Sequence, residues 1–333
     1  RSGSPDHRPS SIPTTWIDVL TKHLATLEFP KVLARLASYT SFSAGAELAQ
    51  NLTPAIDLEG IRASLRATSE ARLLLEAKSD TTMGGARDIR PHVAATLRDA
   101  VLTTGELLDV RDTLVAARVL HRLLTRLESQ FPLLATMAGR IHPSPEIIDE
   151  INRCLDERGN VRDDASPELA RIRREARIAN DRIHDKLQSI IGASANAPYL
   201  QEPIITQREG RYVIPLKADF RGRIRGIVHD MSASGATVFI EPLSVVELNN
   251  TWRELQLQEQ QEIERILRRL SGMIAECADD LRITVAALAE LDLAFAKARY
   301  AETLNATAPE LAPFRKQGQA RADGQHPGSI VRL

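Results

Sequence analysis

Six basic side chains crowd one short stretch of the chain. Between Ile204 and His229 lie Arg208, Arg211, Lys217, Arg221, Arg223 and Arg225, against Glu209 and Asp219, a local balance of +4 in a protein of formal net charge −1. Cations gathered without matching carboxylates suit a phosphate backbone, because each neutralised phosphate releases condensed counterions. The whole-chain charge exerts no such pull, so a polyanion site must come from this cluster. Arg221, Arg223 and Arg225 recur every second residue, which on a β-strand sets them along one face as a row of cations. The same spacing equally describes the solvated outer face of a half-buried sheet. All six form the candidate nucleic-acid-binding set.

Other chemistry-bearing residues point to less. SASGAT (232–237) has the Gly and small polar residues of an anion nest, yet no Lys-Ser/Thr follows and no helix starts there, so a hairpin turn is the simpler reading. His229 and Asp230 are adjacent, which in a strand sends them to opposite faces, and no Ser or Cys nucleophile motif accompanies them. The other histidines lack metal-ligand spacing, and Asp163-Asp164 and Asp279-Asp280 read as helix caps or solvated faces. A P-loop needs G-x-x-x-x-G-K-[ST] to wrap phosphates, and the sequence contains no Gly-Lys dipeptide. No catalytic residue, cofactor site or metal site is assigned. Cys154 and Cys277 lie far apart in helical contexts, which reads as buried reduced thiols and suits the cytosol.

The elements that carry the basic stretch are helical on either side. Of the 333 residues 43% are apolar and only 4% aromatic, with Leu, Ala, Arg and Glu prominent, a composition that favours helix. No apolar run is long enough to span a bilayer, and RSGSPDHRPSSI at the start has no hydrophobic signal region, so a soluble, unexported protein with frayed ends is expected. Phe29, Val32, Leu33 and Leu36 follow helical spacing. Asp57 caps a helix through Leu58, Ile61 and Leu65, and Thr103 with Glu106 forms a capping box. After the turn DERGN (156–160), Ser166-Pro167 starts a segment with Leu169, Ile172, Ala176, Ala179, Ile183 and Ile190 in a 3-4 spacing, a coiled-coil-like arm. A second stripe runs from Val245 through Trp252, Leu255, Ile263, Ile266, Leu270, Met273, Cys277, Leu281 and Val285 to Leu288. It is interrupted at Glu259 and by a shift at Leu281, and predicts one long helix packed antiparallel to the first.

Between the arms the period changes to two. Tyr212, Ile214 and Leu216 alternate with Arg211, Val213 and Lys217, and Ala236, Val238 and Ile240 with Thr237 and Phe239. Turns at Glu209-Gly210 and Ser232–Gly235 then give about four short antiparallel strands. The fold class is mainly α: a multi-helix core and long antiparallel arms with a small inserted β subdomain.

The stretch QREGRYVIPLKADFRGRIRGIVHDMSASGATVFIEPLSVVELNN (207–250) closely resembles the clamp of the second subfamily of bacterial MutS proteins. ELARIRREAR (168–177), YLQEPIIT (199–206), LDLAFAKARYA (291–301), LEFPKVLARLASYTS (27–41) and GGARDIRP (84–91) resemble the same subfamily. The resemblance covers roughly residues 25–311. It implies a disordered N-terminus (1–13), a helical core (14–165), a first lever arm (166–198), the clamp insert (199–243), a second lever helix returning to the core (244–311) and a linker (312–333) towards an ATPase domain missing from this chain, with QHP at 325–327 as its faint beginning. In complete members it implies ATP and Mg as cofactors, a homodimer held through the ATPase, and a C-terminal Smr nuclease domain. The expected function is binding of branched or structured DNA through the clamp, coupled in the whole protein to suppression of recombination. The alternatives are a quality-control factor that binds ribosomal RNA of stalled ribosomes and a structural coiled-coil scaffold. The expected location is cytoplasmic.

Overall fold

The computed structural model describes residues 23–55, 57–79 and 81–311; the expected disordered N-terminus (1–13) and the 312–333 linker, QHP included, lie outside the described residues. The chain is mainly helical with one four-stranded antiparallel sheet, as the change of period predicts. It forms two compact units. One gathers the described residues within 1–94, 109–144 and 277–333, the other residues 95–108 and 145–276. No described helix is long and apolar enough to cross a membrane.

The first unit is built on helix Ala278–Thr303, against which Phe29–Ala37, Ser43–Gln50, Leu58–Ala77 and Pro132–Ala138 pack. It buries Leu281, Val285, Leu288, Leu291 and Phe295 together with Ala287, Ala289, Ala294, Ala296 and Ala298. Apolar residues all round a helix mark a buried one, and its alanines let neighbours approach closely. Thr284 and Asp292 are the buried polar exceptions on this helix. Phe42 precedes helix Ser43–Gln50 and has no side chain that can cap it. Asp292 instead accepts the Ser41 and Phe42 amides at 2.9 and 3.2 Å, so a distant residue satisfies donors that the local sequence leaves open. Burial pushes the Asp292 carboxyl up, against the downward pull of those two amides. The Asp57 cap is present, its carboxylate accepting Gly60 N–H at 2.7 Å.

In the second unit, helix Pro167–Ile191 is the outgoing arm and Val246–Glu276 the returning arm. Ser166 caps the first by accepting Leu169 N–H at 3.0 Å and donates its hydroxyl to the buried Glu262 at 2.5 Å. Glu259, read as an interruption of the apolar stripe, takes Arg173 Nε at 2.8 Å, and Leu255 packs with Ile172 and Ala179. Ascending positions on one arm therefore meet descending positions on the other, as an antiparallel pair requires. The outgoing stripe ends on Leu187 and Ile191 rather than Ile190. The expected single helix from Val245 to Leu288 is corrected: it stops at Glu276 and restarts at Ala278. Asp279 and Asp280 in the new first turn favour that restart through the positive end of the helix dipole. The break falls just before the shift of the apolar stripe at Leu281, with apolar residues on both sides of it.

At the root of the arms the DERGN turn closes as expected, Asp156 accepting the amides of Arg158 and Asn160 at 2.9 and 2.8 Å. The Thr103–Glu106 capping box is reciprocal, with 2.7 Å from Thr103 N–H to the Glu106 carboxylate and 3.3 Å from Glu106 N–H to the Thr103 hydroxyl. Glu150 lies between Arg153 and Arg269, and its carboxyl is held down to about 2, first by the Arg153 hydrogen bond.

The strands are β1 (Thr206–Arg208), β2 (Arg211–Lys217), β3 (Gly226–Met231) and β4 (Thr237–Pro242), in the order β1-β2-β4-β3. Glu209 and Gly210 both have positive φ, 49° and 74°, the geometry of a type I′ hairpin turn. The sheet does not keep its own core. Ile214, Leu216, Val238 and Ile240 pack with Ile183, Leu187 and Ile191 of the outgoing arm and with Val245. Val213, expected on the polar phase of β2, is also fully buried, so β2 is covered on both faces and its expected in–out alternation is lost.

Candidate nucleic-acid interface

The six candidate cations divide into two groups by what surrounds them. Arg208 on β1 is half-buried: it pairs with Asp230 at 2.9 Å and its guanidinium lies 4.0 Å from the centre of the Phe239 ring. Arg211 on β2 reaches inward to Glu241 at 2.9 and 3.2 Å and to Asn250 at 2.7 Å. Glu241 is completely buried. Besides Arg211 it receives His229 Nε2 at 2.7 Å and Asn249 Nδ2 at 2.7 Å, and Asn249 also binds both backbone groups of Tyr212. A buried carboxylate is tolerated when it is paired and hydrogen-bonded in this way. His229 reaches it because the β3–β4 register shifts between Val228 and Asp230, a bulge that re-aims one side chain. His229 and Asp230 thus serve two separate internal contacts, in keeping with the structural role read for them. Lys217, at the end of β2, donates to the Pro198 carbonyl at 3.1 Å.

Arg221, Arg223 and Arg225 have a different setting. Their expected row along a strand is corrected, because β3 begins only at Gly226. Residues 218–220 form a short 3-10 turn, Arg221 N–H and Arg223 N–H bond back to the Ala218 and Phe220 carbonyls at 3.1 and 3.0 Å, and Gly222 has φ +95°. A left-handed residue of this kind suits Gly and no strand. The topology supplies the reason: β2 and β3 both run antiparallel to β4, so the link from Lys217, opposite Thr237, must return along the sheet to Gly226, opposite Pro242, as a crossover instead of a tight hairpin. All three arginines are exposed there, and among the described residues none has an ion-pair partner. Three cations on an exposed turn can follow a phosphate backbone as neighbouring contacts, without the facial alignment that a strand imposes.

The inward ligands of Arg211 were not foreseen. Glu241 falls at the end of a strand-like run and Asn250 in a helical one, and only the pairing of β2 with β4 and the start of the returning helix beside them bring both to Arg211. Tyr199 and Phe220, also unremarked in the sequence, meet at the end of β2 with ring centres 5.2 Å apart, and Arg223 lies 5.9 Å from the Tyr199 ring.

No family model matches the chain. Among curated proteins it is 46% identical over 288 residues to an Endonuclease MutS2 of Symbiobacterium thermophilum, covering 86% of this chain and 36% of that protein. Proteins of the same name from Alkaliphilus oremlandii and Pelotomaculum thermopropionicum are 39% and 41% identical, over 92% and 93% of this chain and 39% and 40% of theirs. The chain therefore spans less than half the length of these curated relatives. With nearly all of its length aligned at such identities, it belongs to the MutS2 family of MutS-like proteins.

Proposed function

We propose that this chain is the core, lever and clamp portion of a MutS2-type protein, and that its clamp turn binds the phosphate backbone of branched or structured DNA. The observation that carries this reading is the contrast among the six cations. Arg208, Arg211 and Lys217 are spent on internal partners, whereas Arg221, Arg223 and Arg225 stand exposed and, among the described residues, without an ion-pair partner in the link from β2 to β3. Contacts of this kind position a protein on nucleic acid without reading its bases. In the whole protein, ATP with Mg would drive the arms from a separate ATPase domain, two subunits would pair through it, and the clamp would act in suppression of recombination.

The test is salt dependence. Replacing Arg221, Arg223 and Arg225 with Ala should lower the magnitude of the log K against log salt slope on duplex DNA by roughly 2.7, from about 0.9 per phosphate contact. A matched triple substitution of the exposed arm residues Arg171, Arg174 and Arg177 should change it less. Equal effects would place the contact elsewhere. Co-sedimentation with ribosomes in the absence of branched-DNA binding would transfer the site to ribosomal RNA.

A further inference from the structure

The turn that displays the unpaired arginines also carries an aromatic pair. Tyr199 and Phe220 come from segments on opposite sides of β2. Leu200 bridges to Leu216, and Lys217 N–H bonds to the Tyr199 carbonyl at 3.0 Å, which brings Tyr199 to the end of β2. The 3-10 turn that follows then sets Phe220 against it, rings 5.2 Å apart and tilted by 45°. Both side chains are only half-buried. Tyr199 rests on the apolar cluster beneath the sheet, and Phe220 lies outside that cluster, so the core does not account for it. Arg223 approaches the Tyr199 ring to 5.9 Å, and Arg221 directly follows Phe220. In a protein with few aromatic residues, a ring pair bordered by free guanidinium groups combines the two features that hold unpaired nucleotides: a π-face for a base and cations for its flanking phosphates.

We propose that Tyr199 and Phe220 form a stacking platform for an unpaired base, so that the clamp turn favours strands with exposed bases over fully paired duplex. Phe220 supplies the stacking face, Tyr199 supports it from below, and Arg223 and Arg221 hold the adjoining phosphates. This inference rests on the proposed phosphate contact of the same turn and adds the class of nucleic acid it selects. The chemistry is shared by single-stranded DNA and RNA.

The experiment uses the 333-residue chain and three probes of equal length: a paired DNA duplex, the same duplex with a short single-stranded gap containing 2-aminopurine, and the gap strand as RNA. Wild type should bind the gapped probe more tightly than the duplex and change its 2-aminopurine fluorescence. Phe220→Leu keeps an apolar side chain in the turn and removes the π-face. It should lose roughly fivefold or more in affinity for the gapped probe and abolish the fluorescence change while leaving duplex affinity unchanged, and Phe220→Trp should restore the gapped-probe affinity and the fluorescence change. A parallel loss with the RNA probe extends the platform to either nucleic acid, and a loss confined to DNA restricts it to DNA. If Phe220→Leu binds the gapped probe as wild type does, or weakens both DNA probes alike, the platform is overturned and the rings only fill the turn. The arginine triple substitution separates the two readings: unchanged duplex affinity there removes the phosphate contact, whatever the Phe220 variants do.

Discussion

Arg211 and Arg223 carry the same charge within the same insert and have opposite surroundings. Arg211 points into the base of the sheet, where a completely buried Glu241 holds it together with His229 and Asn249. Arg223 stands on an exposed turn, its guanidinium 5.9 Å from the Tyr199 ring and, among the described residues, without an ion-pair partner. The difference shows that local charge density is a poor guide to which cations are available. Half of a basic cluster can be consumed in joining strands to each other and to a helix, and only the remainder can meet a ligand.

The largest effect should come from breaking the inner pairing. Arg211→Ala leaves the Glu241 carboxylate buried without its guanidinium and is expected to cost about 3–5 kcal/mol, measured by denaturant unfolding followed through the Trp252 signal. Arg223→Ala should stay within about 0.5 kcal/mol of wild type. If the two substitutions cost the same, the division between inner and outer cations fails. Pairing Arg211→Met with Glu241→Gln should recover part of the loss, because no uncompensated charge then remains.

A smaller effect tests whether polar groups along the arms act inwardly as well. Ser166 both caps the outgoing helix and donates to Glu262, so Ser166→Ala should cost roughly 1–2 kcal/mol, read from hydrogen-exchange protection of the first helical turn. Loss of protection spread evenly along the helix would argue against a cap.

The smallest effect is expected at the root of the arms and depends on pH. The Glu150 carboxyl, with Arg153 and Arg269 beside it, sits at about 2 in the folded protein, below its ordinary 4.5. A depressed carboxyl contributes stability that is present above 4.5 and disappears as pH falls through 4.5 towards 2. The stability advantage of wild type over Glu150→Gln should therefore be full near neutrality and shrink across that window. Among the described residues no carboxylate is paired to the arginines of the exposed turn, so substituting them should leave the acid profile of unfolding unchanged.

How much of this was legible beforehand depends on the range of the interaction. The caps at Asp57, Ser166 and Thr103–Glu106 and the Glu209-Gly210 turn are written within three or four residues, and the structure has each of them. The two arms and the strand insert follow from periodicity, which records which face an element buries. Periodicity marks a shift at Leu281 but does not tell a shifted stripe on one helix from the end of a helix, so the stop at Glu276 and the restart at Ala278 were not read from it. Nor does it tell an edge from a covered strand, so the face of β2 that carries Val213 was expected in solvent and is instead buried.

The sequence by itself determined the helical class, the position of the strand insert between two arms and the excess of positive charge in it, because propensity, spacing and composition are local properties. Only the tertiary structure decided which cations are free. Arg221–Arg225 leave the strand because β4 is inserted between β2 and β3, and Arg211 turns inward because β4 delivers Glu241 and the returning helix delivers Asn250 to it, with Asn249 bonded to the same Glu241. A buried charge takes its partner from whatever the fold brings near, and that neighbour has no fixed distance along the chain.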